Sequence, residues 1–137
     1  MDAAPKKVIA WIKDDVDIIA AVMRQVELAG HRIERQRTIG EALANLDPLR
    51  TCDLIVLDIS VPVGTAPGEY GRYSGVDLLR ELRTVHDVHT PVIVLSVLTD
   101  DHVLSEVRKL GVSEILRKPV LPSRLKEAVD RALGITQ

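Results

Sequence analysis

Cysteine is nearly absent: Cys52 is the single one among 137 residues. A lone thiol cannot close an intramolecular disulfide, and with four scattered histidines it cannot complete a zinc cage. Such usage suits a reducing compartment. Positive charge is not in excess either, since Lys and Arg number 18 against 20 Asp and Glu, a formal net charge of -2. With no surplus to neutralise a phosphate backbone, direct nucleic-acid binding is not expected. Long apolar runs are also missing. Val8 to Ile12 and Ile18 to Met23 are short and bordered by charge, well below the length that crosses a bilayer. The start passes from Lys6-Lys7 into a five-residue apolar run that stops at Lys13-Asp14-Asp15, so a signal-peptide core is lacking. A cytoplasmic location without a membrane partner is the expectation.

What the chain does have is 46% apolar and 28% charged residues, the mix of a folded protein with one core, and residues 1–137 read as one domain. Val8 to Ile12, Leu54 to Leu57 and Val92 to Leu95 are apolar without alternation, as in central parallel strands covered on both faces. His31 to Gln36 and Glu114 to Arg117 carry charge and read as edge strands. Between them lie five segments with apolar stripes at helical spacing, such as Ile39/Ala42/Leu43/Leu46 and Leu125/Ala128/Val129/Ala132/Leu133. Thr38 with Glu41 resembles a capping box, Ser74 suits an N-cap, Gly30, Gly111 and Gly134 fall where helices end, and Pro122 fits a first turn. Strict β-α alternation predicts an α/β fold with one open, doubly wound parallel sheet and helices on both faces. Ligands in such folds bind beyond the carboxyl ends of the strands.

The residues at those ends are Lys13-Asp14-Asp15 after the first strand, Asp58 after the third, Ser96 after the fourth and Lys118-Pro119 after the fifth. Carboxylates, a hydroxyl and an ammonium group would converge on one sheet edge. Clustered carboxylates favour a hard cation such as Mg²⁺. A carboxylate beside such a cation can attack phosphorus and form an aspartyl phosphate, with Ser96 and Lys118 stabilising the phosphoryl charge.

On these residues, together with Asp58-Ile59-Ser60-Val61-Pro62, nearly the whole chain resembles the receiver domain of two-component response regulators. The resemblance implies a flavodoxin-like, three-layer sandwich whose five strands run in the order 2-1-3-4-5. It implies that Asp58 is the phosphoacceptor, that Ser96 and Lys118 handle the phosphoryl group, and that Mg²⁺ is held by Asp14, Asp58 and the backbone carbonyl of Ser60. An alignment shifted by one residue makes Asp14 and Asp15 the usual acidic pair and so adds Asp15 to the metal set. The phosphoryl source would be a histidine kinase, a phosphotransfer protein or a small phosphodonor. The output would be a changed protein-interaction surface, with a homodimer left open. Since Gln137 ends the sequence, no output domain is expected. At most such a domain catalyses its own phosphorylation and dephosphorylation, so it is not classed as an enzyme.

The sequence also departs from that family. Lys13 stands at the first acidic position, and two readings follow: its ammonium lowers metal affinity, or its stem carries the charge out to solvent. Val97 stands where a small residue is usual and would crowd the phosphoryl group, while Ile115 replaces an aromatic residue whose rotation reports phosphorylation in many receivers. Leu98 offers no hydrogen bond to an attacking water, which predicts slow phosphoryl loss. Residues 63–74 form an insertion with both tyrosines, expected over or beside Asp58 as a gate or a partner surface. These departures motivate an alternative reading, a pseudo-receiver that interacts without efficient phosphorylation. A phosphatase with an aspartyl nucleophile would need a second Asp where Ser60 stands. A flavin carrier would find its phosphate repelled by Asp14, Asp15 and Asp17. Asp17 itself reads as an acidic helix start, the four histidines as surface or loop residues, Cys52 as a small buried hydrophobe, and Trp11 as core.

Overall fold

The computed structural model describes residues 7–13, 20–66, 69–71, 73–97 and 100–134. In chain order the elements are β1 (Val8–Ile12), α1 (Ala20–Leu28), β2 (Arg32–Gln36), α2 (Ile39–Leu43), α3 (Leu46–Thr51), β3 (Leu54–Asp58), α4 (Ser74–Thr84), β4 (Val92–Ser96), α5 (Asp101–Lys109), β5 (Glu114–Arg117) and α6 (Pro122–Leu133). The strands pair in parallel in the order β2-β1-β3-β4-β5. The charged β2 and β5 therefore take the two edges, as their composition requires.

Side-chain alternation along the central strands feeds two separate cores. Ile9, Trp11, Leu54, Val56, Ile93, Leu95 and Leu116 pack with Val22 and Val26 of α1 and with Leu125, Ala128 and Val129 of α6. The intervening residues Ala10, Ile12, Ile55, Leu57, Val92 and Val94 pack on the other side with α2, α3, α4 and Val107 of α5. Because both faces are covered, these strands need apolar residues at every position, which explains their unbroken runs. Full burial of each Val, Leu or Ile contributes roughly 1.5–3 kcal/mol relative to exposure.

The segment after β2 differs from its reading as one helix. It splits at Asn45, because Pro48 lacks an N–H and its ring would clash with the carbonyl four residues back in a continuous helix. Asn45 Nδ2 donates to the carbonyl of Glu41 at 2.7 Å across the break. The capping box is present in shifted form: Thr38 Oγ1 accepts from Glu41 N at 3.0 Å, while Glu41 Oε1 accepts from the N–H of Arg37 rather than Thr38. Tyr73, not Ser74, is the N-cap of α4, and the Ser74 hydroxyl instead donates to the carbonyl of Val61. His31 is another correction. It opens the chain into β2 directly behind Gly30, a glycine at positive φ, and is buried rather than a surface residue. No helix among the described residues is long and apolar enough to cross a membrane.

Candidate functional site

Three charged side chains meet at the carboxyl edge of the sheet, and the strand register brings them there. In the β1–β3 pairing Ile12 lies opposite Leu57, so one further step sets Lys13 level with Asp58. Lys13, Asp58 and Lys118 each follow by two residues a member of the same core layer, namely Trp11, Val56 and Leu116. A period of two therefore turns all three toward that layer's side of the sheet. The strand order reverses direction between β1 and β3, which is where a doubly wound sheet opens a crevice.

Asp58 is buried, 7% exposed, and both ammonium groups converge on one of its oxygens. Lys118 Nζ donates to Oδ2 at 2.6 Å and Lys13 Nζ at 3.1 Å, while the backbone N–H of Ser60 donates to Oδ1 at 3.0 Å. Burial pushes the Asp58 carboxyl up, but the Lys118 hydrogen bond, the Ser60 N–H and the two lysine charges outweigh it. Together they hold the group below its ordinary 3.8. Ser96 is buried one step beyond Leu95, the register partner of Asp58, and the N–H of Lys118 donates to the Ser96 carbonyl at 2.8 Å. Gly75 seals the base. Its N–H donates to the carbonyl of Ile59, and a Cβ there would lie 2.3 Å from the carbonyl oxygen of Asp58.

Of the residues proposed from sequence, Asp58, Ser96 and Lys118 are thus placed at adjoining strand ends, and Asp58 with Lys118 is in direct contact. Lys13 does not reach solvent: its side chain is 4% exposed. The expected metal ligands Asp14 and Asp15, and Leu98, lie outside the described residues. Val97 is 60% exposed.

Residues 9–130 match the response regulator receiver domain family. The chain belongs to that family. Among its curated relatives, protein CcdB of Bacillus subtilis is 27% identical, over 90% of this chain and 95% of that one. The chemotaxis protein CheY of Thermotoga maritima is 25% identical, over 88% and 92%. Among solved structures, the chemotaxis response regulator CheY4 of Vibrio cholerae superposes with a TM-score of 0.72 at 25% identity, covering 93% of this chain and 98% of that one. This receiver domain accordingly belongs to two-component signalling.

Receiver domains bind Mg²⁺ at the phosphorylation site. The departure in this receiver domain is Lys13, whose buried ammonium donates to the Asp58 carboxylate and so stands where such an ion would need an oxygen ligand. The signal that sequence reading underused was Lys13, whose parity with Trp11 already turned it inward.

The insertion of this receiver domain is tied to its flank. The N–H groups of Ile39 and Gly40 donate to the carbonyls of Pro62 and Val63, which seats the start of the loop on α2. Gly64, at a φ of 68°, lies so close to Thr38 that a Cβ would come within 2.7 Å of its hydroxyl. Tyr70 donates its hydroxyl to Glu81 Oε1 at 3.1 Å, and Gly71 N donates to Asp77 Oδ2 at 2.7 Å, which fixes the other end on α4. These contacts of its described part go to α2 and α4.

Proposed function

We propose that this receiver domain is a phosphoacceptor of a two-component relay, in which Asp58 receives the phosphoryl group. The observation that carries this reading is the buried Asp58 carboxylate held by Lys118 and Lys13 at the crevice between β1 and β3. An Asp58 oxygen forms a bond to phosphorus as the donor's bond to phosphorus breaks. The leaving group, imidazole from a histidine kinase or phosphotransfer protein, or acetate from acetyl phosphate, departs with the electron pair. The two ammonium groups, already beside the attacking carboxylate, then face the phosphoryl oxygens, and the Ser96 hydroxyl donates to a third. Fixed charges placed before the reaction stabilise the transition state without reorganisation. With Ile115 in place of an aromatic residue, the change passes to a partner through Ser96 and the backbone that follows it.

A second reading, a pseudo-receiver that acts as a constitutive interaction module, draws on the same Lys13 contact, which could hold Asp58 unreactive. Intact mass after incubation with acetyl phosphate separates the two. A gain of one phosphoryl group in the wild type and none in Asp58→Ala supports the phosphoacceptor. No gain at saturating donor supports the interaction module.

A further inference from the structure

We propose that the Lys13 ammonium is the resident cation of the Asp58 site, so that phosphoryl uptake proceeds without a divalent metal and Mg²⁺ is kept from Asp58 while Lys13 is seated. This deepens the phosphoacceptor reading and rests on it for its phosphoryl arm only.

Geometry comes first. The β1–β3 register and the two-residue step from Trp11 deliver Lys13 to Asp58 by backbone alone, with no search by a long surface side chain. Its side chain is 4% exposed, and its Nζ lies 3.1 Å from Asp58 Oδ2, the oxygen that Lys118 also contacts. An ammonium withdrawn from water to this degree is costly unless a negative charge compensates it, so its seat is an anion's neighbour by construction. A dication on the same carboxylate would face that ammonium within one shell, in surroundings that screen poorly.

The chemistry of the product points the same way, because both ammonium groups meet on one oxygen of the Asp58 carboxylate. Phosphorylation replaces the carboxylate by an aspartyl phosphate with close to two negative charges. The two lysines are already in contact with the carboxylate that carries that added charge. Lysine supplies a compact charge with three rotatable donors, suited to following the phosphoryl oxygens as they appear.

The test uses the full chain, its Lys13→Asp and Lys13→Met variants, and two readouts. Mn²⁺ binding is followed by its paramagnetic resonance signal, and phosphorylation from phosphoramidate by intact mass, in Mg²⁺ or in chelator. The wild type is expected to gain a phosphoryl group at the same rate in both media and to bind Mn²⁺ poorly. Lys13→Asp should bind Mn²⁺ about a hundredfold more tightly. Lys13→Met, which keeps the buried stem, should bind it more tightly than wild type and lose uptake in chelator on the order of a hundredfold. The proposal is overturned if the wild type needs Mg²⁺ for uptake, or binds Mn²⁺ as tightly as both variants. If no form gains a phosphoryl group, the phosphoacceptor reading falls. Weak Mn²⁺ binding by wild type against tight binding by the variants would then still support Lys13 as the resident cation.

Discussion

Replacing Asp58 by Asn should destabilise the fold, the opposite of what removing one charge from a cluster of like carboxylates would do. The carboxamide keeps the shape and can still accept from the Ser60 N–H, but it removes the negative charge that Lys13 and Lys118 share. At an effective dielectric of about 20, a unit charge some 3 Å away is attracted by about 5 kcal/mol, most of it cancelled by desolvation. The net cost lies in what is left behind. Lys13 would stay buried without the Asp58 counter-charge, and breaking such a pair costs about 3–5 kcal/mol. Lys118, with a quarter of its side chain exposed, can turn toward water and adds little. We expect a loss of about 3 kcal/mol, or a urea midpoint lower by roughly 1–2 M. Trp11, the single tryptophan and fully buried, reports the transition by fluorescence. The dependence on pH has a definite sign. The folded carboxyl titrates below 3.8, so the unfolded state binds its proton first as pH falls. The stabilisation is complete above 3.8, is lost as pH drops through the folded value, and should be missing from Asp58→Asn. In a Lys13→Met background the cost of Asp58→Asn should shrink by more than half. An Asp58→Asn protein as stable as wild type, or a cost unchanged by Lys13→Met, would refute the reasoning.

Other perturbations follow from single contacts. Gly75→Ala would drive a Cβ into the backbone of Asp58 and Ile59, neither able to yield, so urea denaturation should show a loss of about 2 kcal/mol or more. Arg83 donates to the carbonyls of Val88, Thr90, Leu110 and Gly111, and Arg83→Met should cost about 2 kcal/mol in the same assay by leaving them without these bonds. Tyr70→Phe removes the bond from the insertion to Glu81, and thermolysin should cut within 63–73 about fivefold faster; an unchanged rate would mean that the tyrosine ring alone holds the loop. Burial pushes the Cys52 thiol up from 9.0 to about 11, so a disulfide reagent at mildly alkaline pH should label it roughly a hundredfold more slowly in the folded than in the urea-unfolded protein.

Much of this molecule was legible in one dimension because its physics is local. Unbroken apolar runs mean strands covered on both faces, and charged ones mean edges, so β1, β3 and β4 at the centre and β2 and β5 at the rims follow from residue type alone. Helix ends at Gly30, Gly111 and Gly134 were legible too, since positive φ favours glycine. The family followed from four strand-end residue sets in order. The break at Asn45 was readable from Pro48 but was hidden by a stripe that continued to Leu46. The partner of Lys13 was not readable in this way. Whether that ammonium faces water or a carboxylate depends on which residue of β3 stands level with it, and that register is set by pairing between strands 45 residues apart. The same holds for the insertion, whose composition announces a loop but whose anchors on Thr38, Asp77 and Glu81 come from α2 and α4. Sequence determines what each segment can become, through periodicity and backbone preference. Only tertiary packing decides which charges meet, because desolvation and Coulomb energy depend on distance in space rather than along the chain.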